Sequence, residues 1–463
     1  MWYRKAAVSA LAATTLSACA AQKNKQDQTV NMTETANKAE SADMNTTKAE
    51  ANIDETYLTL SDAQQQAVEA TNDFTLNLFR TQTGHDSRVL SPVSVAYLMG
   101  MLANGAEGGT HQEIMNTLCQ SGASLPTLNE TYKALMSGTS TLDPQTQVNI
   151  ANCIAVNRQV TLKNDYVEAM QSVYKASVES LDFGSPKTLA HLNGWCSKQT
   201  NGMIPKIVDQ LDADATAVLM NAIYFNGNWT EKFDKNQTKT ENFRGYTRDV
   251  KQVPMMHQQH KFSYAERADY AAVTLPYGNG AYAMTVVLPN EGHSTADIAK
   301  TLTADSLASL SRSMEECMVD LKMPRFSTTT ETSLNKPISQ LGAPTIFEAG
   351  RANFSRMSDV SMCVSEMLQK AKIEVSEKGT KAAAVTAAVM MMASLEPDEP
   401  RRVSFHADRP FIYMIVERSS GAIFFIGQYA GPEEYPPIRL SPAACILATG
   451  RHIVKSENAR YGE

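Results

Sequence analysis

Hydrophobic and polar positions settle into a regular pattern from residue 61 onward. Ser61-Asp62-Ala63-Gln64 has the serine-to-glutamine spacing of a capping box, and Ala67, Thr71, Phe74 and Leu78 follow on one helix face. Ser91-Pro92 offers a cap with proline at the first helical position, and residues 92–102 are apolar or small on nearly every face. Such a helix is predicted to be buried. Apolar runs of strand length at 218–225, 284–288, 411–416 and 423–426 are mixed with helical patterns such as 188–200. The pattern predicts long buried strands in mixed α and β structure. No internal repeat and no Pro- or Gly-rich break interrupts residues 60–432, so one large domain, bounded at 57–432, is expected.

The two ends read differently. Residues 20–56 lack aromatic side chains and are dominated by Ala, Thr, Asn, Gln, Lys, Asp and Glu, so they are read as a disordered tether. Ahead of them, Arg4 and Lys5 precede an apolar stretch, 6–15, that is too short to span a bilayer and has the form of a secretory signal. That signal, residues 1–19, ends in Leu16-Ser17-Ala18-Cys19, which resembles the bacterial lipobox. The resemblance implies acylation of Cys19, hence a lipid anchor in the bacterial cell envelope. Ala20 and Ala21 point to the outer membrane, periplasmic or surface-exposed. An ordinary cleaved signal is the alternative. Residues 433–463 carry Pro436-Pro437 and Cys445 with little periodicity, and no role is read for this tail.

Composition narrows the function classes. With 463 residues and 43% apolar content the chain can bury a large core, and a net charge of −7 leaves no basic face for nucleic acid. Besides Cys19 the cysteines are Cys119, Cys153, Cys196, Cys317, Cys363 and Cys445, without a C-x-x-C pair. Neither a metal site nor a disulfide framework is suggested, and buried thiols are expected. No G-x-S-x-G, H-E-x-x-H, P-loop or G-x-G-x-x-G motif occurs, so neither an enzyme nor a cofactor is expected. His406, in Phe405-His406-Ala407-Asp408, reads as a hydrogen-bonded structural residue, and Met390-Met391-Met392 as exposed loop methionines.

From Glu377-Lys378-Gly379-Thr380 the chain leaves an alternating apolar stretch and enters a run of small side chains, then passes the methionines to Pro397, Pro400 and Arg401-Arg402. This segment resembles the hinge and reactive-centre loop of the serpins. Its flanks agree: Phe405-His406-Ala407-Asp408-Arg409-Pro410-Phe411 and Phe424-Phe425-Ile426-Gly427 are similar to the family's C-terminal signature. So do Ser91-Pro92-Val93-Ser94, Asn193-Gly194-Trp195, Asn221-Ala222-Ile223-Tyr224-Phe225-Asn226-Gly227-Asn228-Trp229 and Leu275-Pro276-Tyr277, in order across residues 74–432. The resemblance implies an α+β fold of three β-sheets with eight or nine helices and an exposed reactive-centre loop. It also implies a suicide mechanism, in which a protease cleaves the loop and the cleaved loop becomes a strand of the largest sheet.

Strand alternation then assigns faces. Thr380, Ala382, Ala384, Thr386, Ala388 and Met390 would face the core, with Lys381, Ala383, Val385, Ala387, Val389 and Met391 outward. Every inward residue up to Ala388 is small, and the one charge lies on the outward set. By the family's spacing, counting Glu377 as first, the scissile bond is Ala393–Ser394, which suits an elastase-like protease, with Met392–Ala393 as the alternative. The resemblance implies hinge roles for Glu377, Gly379, Thr380, Ala382, Ala383, Ala384 and Thr386. Trp229, Arg325 and Glu377 match the region where the sheet opens, with Arg325 and Glu377 as an ion pair. Ser91, Ser94 and Asn221 match a polar cluster beneath the sheet's centre, where Gln369 departs from the family's histidine. The partner implied is a serine protease, or a cysteine protease, trapped covalently by a monomer. A non-inhibitory serpin acting as a carrier or folding helper is the rival reading, and an unrecognised hydrolase the third.

Overall fold

The structure, a computed structural model, describes residues 57–82, 84–119, 122–139, 141–246, 249–380 and 400–432. Its helices are α1 (Asp62–Thr81), α2 (Pro92–Gly105), α3 (Gly108–Leu118), α4 (Leu125–Gly138), α5 (Asn164–Tyr174), α6 (Pro186–Gln199), α7 (Thr295–Thr301), α8 (Ala304–Ser313) and α9 (Asn335–Leu341). The first two form for the reasons legible in sequence. Gln64 N–H donates to Ser61 Oγ at 3.3 Å while Ser61 N–H donates to Gln64 Oε1 at 2.9 Å, closing the capping box of α1. Helix α2 is buried along almost its whole length, as an all-apolar helix must be. Ser91 does not cap it through its side chain, because that hydroxyl is used elsewhere.

The first eight strands are β1 (Arg88–Leu90), β2 (Gln147–Asn157), β3 (Ser177–Leu181), β4 (Ala217–Asn228), β5 (Lys239–Arg244), β6 (Val250–Glu266), β7 (Tyr270–Tyr277) and β8 (Tyr282–Pro289). Then come β9 (Glu315–Pro324), β10 (Phe326–Ser333), β11 (Glu366–Ser376), β12 (Gly379–Thr380), β13 (Arg402–His406), β14 (Phe411–Glu417) and β15 (Ile423–Tyr429). The four apolar runs read from sequence lie within β4, β8, β14 and β15. Helical pattern 188–200 is α6.

Six strands form one sheet in the order β10-β11-β12-β4-β2-β3. The remaining nine are joined by hydrogen bonds through β1-β15-β14-β8-β7-β6-β9-β13, with β5 on β6. Three sheets are therefore connected as two among the described residues. The long strand β6 causes this: it pairs with β5 and β9 along most of its length and with β7 only at Ser263–Glu266, so one strand serves two sheet segments. The main core lies between the sheets, where Phe225 of β4 packs edge-on against Tyr277, Tyr282 and Phe425. A second apolar cluster covers the opposite face of the six-stranded sheet, with Leu192, Trp195 and Cys196 of α6 over Met220, Ala222 and Tyr224.

Candidate functional site

The six-stranded sheet is closed at one end and wedged open at the other. β11 and β4 pair directly, in parallel, from Glu366 opposite Val218 to Ala371 opposite Ile223. Beyond that point β12 lies between them, with Gly379 and Thr380 antiparallel to Asn228 and Gly227 on one side and to Ser376 and Val375 on the other. The reversal at Glu377-Lys378 makes this wedge possible. Gly379 has φ of +143°, and a Cβ there would lie 2.1 Å from the Gly227 carbonyl oxygen, so only glycine fits.

Thr380 is fully buried and its hydroxyl is 2.7 Å from that of Tyr277. Burial pushes the Tyr277 phenol well above its ordinary range, which keeps it neutral and able to donate. Tyr277 also stacks on Trp229, with ring centroids 4.3 Å apart. Trp229 braces the wedge through three groups: its indole N–H donates to the Ser376 carbonyl at 2.9 Å, its backbone N–H donates to Lys378 O at 3.0 Å, and its ring covers Tyr277.

Glu377 is buried, with its side chain 3% exposed, against 51% for Arg325. Arg325 Nη1 donates to Glu377 Oε1 at 3.3 Å, so the pair read from sequence is present. Thr238 Oγ1 donates to the same oxygen at 2.9 Å, and Phe233 N–H donates to the Glu377 carbonyl at 3.0 Å. Thr238 and Phe233 carry no family signature in the sequence and were not anticipated.

Under the middle of the sheet the expected polar cluster divides in two. Gln369 grips the entry to α2: its Nε2 donates to Ser91 O at 2.6 Å and its Oε1 accepts from Ser91 N–H at 3.1 Å. The Ser91 and Ser94 hydroxyls are 2.9 Å apart. Gln369 thus satisfies both backbone groups of Ser91, so its departure from histidine leaves no gap here. Asn221 faces Gln369 in register but donates instead to Asn152 Oδ1 at 2.9 Å, and its own Oδ1 is buried without a partner. Asn221 directs its Nδ2 across to β2 rather than down to the serines at the start of α2.

His406 is hydrogen-bonded, as read, but to Asp320 Oδ2 at 2.8 Å; Asp408 is occupied by Arg244 and Arg409. Cys119, Cys153, Cys196 and Cys317 are buried free thiols, and burial pushes Cys119 and Cys196 up to about 12, which makes them unreactive. Among the described residues no group of three His, Cys, Asp or Glu side chains is arranged to hold a metal ion, and no helix is long and apolar enough to cross a membrane. Ala382, Ala383, Ala384, Thr386, Met390–Met392, Ala393 and Ser394 lie outside the described residues, as do the signal with Cys19, the tether and the tail.

Comparison with known proteins agrees with this geometry. The family profile described as "Serpin (serine protease inhibitor)" matches residues 69–432. Serpin B6 of Macaca fascicularis is 31% identical over 376 residues, covering 79% of this chain and 99% of its own. Leukocyte elastase inhibitor of Equus caballus is 30% identical over 384 residues, covering 80% and 100%. Among solved structures, the thermophilic serpin Tengpin in its native state superposes with a TM-score of 0.73 at 25% identity, covering 81% of this chain and 96% of that one.

Proposed function

Because the chain belongs to the serpin family, whose profile is that of serine protease inhibitors, we propose that it traps a serine protease by inserting its cleaved reactive loop between β11 and β4. The observation that carries this reading is β12, two residues already lying where an inserted strand would begin. Continued in the same register, β12 would set Lys381 opposite Glu374 and Asn226, outside the core. Thr386 would fall opposite Gln369 and Asn221, which already face each other in the closed half. Both sides of the seam demand this one register, so insertion needs no slip. The inward positions would be Ala382, Ala384, Thr386 and Ala388, all small enough for the packed space above α2.

In this reading the protease serine attacks the scissile carbonyl, the amine of the next residue leaves, and an acyl ester links protease to loop. Insertion of Thr380 to Met392 as a strand of roughly 40 Å then carries the protease away before water reaches the ester. Ala393 at the cleaved position favours an elastase-like enzyme with a shallow pocket, and the similarity to a leukocyte elastase inhibitor supports that choice. Cutting at Met392–Ala393 is the alternative, and a cysteine protease is a second class of target. Incubating the protein with a panel of proteases, followed by denaturing gels and intact mass, tests the reading. We expect a covalent complex with an elastase-like protease and a released peptide beginning at Ser394. Cleavage without a complex by every protease would point to a carrier or folding helper instead.

The lipobox-like Leu16-Ser17-Ala18-Cys19 supports a second element of the proposal, a bacterial lipoprotein with its 57–432 domain on a tether and its partner membrane in the cell envelope. Cys19→Ser should move the protein from the membrane fraction to the soluble fraction and remove the acyl mass from the mature N-terminus. Membrane recovery equal to wild type would overturn the anchor.

A further inference from the structure

An open cavity of about 530 Å³ is lined by parts of β5, β6 and β9 and by His406 and Asp408. Every charge that lines it is already partnered. Lys322 Nζ lies 2.9 Å from both Glu241 oxygens, Asp408 pairs with Arg244 and Arg409, and His406 with Asp320. A free ion would find little uncompensated charge there. The cavity offers amide and thioether instead: Gln252 Nε2 donates to Asn242 Oδ1 at the exposed rim, and Met255 is fully buried at the floor. The remaining donors and acceptor of the two amides suit a peptide backbone.

The described chain ends at the edge of this cavity. A Cβ at Gly431 would lie 3.5 Å from the Phe243 ring, and the Pro432 carbonyl accepts from Lys251 Nζ at 3.4 Å. Phe243 and Lys251 are partners in the β5–β6 register, and the next pair is Asn242 with Gln252. Residues 433–463 lie beyond the family profile, which ends at 432, and so start one residue pair from the rim. We propose that Glu433-Glu434-Tyr435-Pro436-Pro437 runs back along β5 and seats Tyr435 in the cavity, the molecule's own tail being the occupant.

Tyr435 stands three residues past Pro432, roughly 10 Å of extended chain, the same span as from Phe243 to Thr240 on β5. The tail can therefore reach. Glu433 and Glu434 start beside Lys251 and Arg244, neighbours across β5 and β6, so the first turn of the path has opposite charge. Tyr435 brings a ring to the Met255 thioether and a hydroxyl to the Glu241 or Asp408 carboxylate. Two prolines preset an extended chain, which lowers the entropy lost on docking, and their carbonyls accept from the Asn242 and Gln252 amides. Attachment at Pro432 holds the tail at an effective concentration in the mM range, so modest contacts suffice. Once seated, it covers His406 and Asp408, beside the root of the loop at Arg402. Only one consequence rests on the inhibitor reading: a protease approaching that face meets the tail.

The docking is tested in the full-length protein carrying Thr240→Cys and Pro437→Cys in a Cys445→Ser background. Oxidised glutathione is added, and mass-spectrometric peptide mapping follows the disulfide between the two introduced thiols. We expect the link within single molecules, at a rate independent of protein concentration. Adding Tyr435→Ala should slow it at least ~tenfold, whereas Tyr435→Phe, which keeps the ring, should retain most of the rate. An unchanged rate in Tyr435→Ala means that the tail only collides with β5 and overturns the docking. A link formed only between molecules, or none at all, overturns it too. No protease enters the measurement, so the docking and the inhibitor reading fail separately.

Discussion

Thr380→Arg turns the inhibitor into a substrate: the protease cleaves the loop, escapes, and the number of inhibitor molecules consumed per protease rises by at least ~tenfold. The wild-type side chain is fully buried and its hydroxyl rests 2.7 Å from Tyr277. Burial keeps that phenol neutral, so it offers a guanidinium no anion. Forcing the charge inward costs several kcal/mol, and ~3 kcal/mol slows a step about a hundredfold. Hydrolysis of the acyl ester then wins. Titration of residual protease activity, with gels to count complex against cleaved product, measures the partition. Thr380→Ser keeps the small polar side chain and should still inhibit. If Thr380→Arg traps protease as efficiently as wild type, insertion does not pass through β12.

Glu377→Lys has the other large effect, on assembly. Its carboxylate is buried, and it accepts from Arg325 and Thr238 on one oxygen. A lysine would set two cations against each other at the open end of the seam. Breaking a buried pair costs about 3–5 kcal/mol, and the half-exposed arginine lowers that to about 2 kcal/mol. We expect β12 to disengage and the freed seam to accept the loop of a second molecule, giving polymers after mild heating. Native gels and light scattering read this directly. A variant that remains monomeric under conditions where it has begun to lose stability would show that Glu377 does not guard the seam.

Much of this molecule was legible along the chain. The capping box at Ser61, the buried helix after Ser91 and the four apolar strands are local statements, written in spacing and side-chain type, and the structure has each where the pattern put it. Half-polar strands were harder. β6 and β10 mix Lys, Gln, Thr and Glu with apolar positions because one face meets water or another strand's charges, so no apolar run announces them. The inward and outward sets after Thr380 are a reading of the sequence alone, because those residues lie outside the described ones.

Tertiary structure decided everything that depends on partners distant in sequence. The sequence set out which residues can be inward and where apolar strands run, since these follow from backbone alternation and side-chain type at each position. It could not say that Thr238 shares Glu377 with Arg325, that Gln369 clamps Ser91 while Asn221 turns to Asn152, or that His406 finds Asp320 rather than Asp408. Those choices depend on sheet register, which brings residues as distant in sequence as Ser91 and Gln369, 278 positions apart, within hydrogen-bond reach. Register is set by the packing of whole sheets, and a single strand's pattern carries only its own half of each pair.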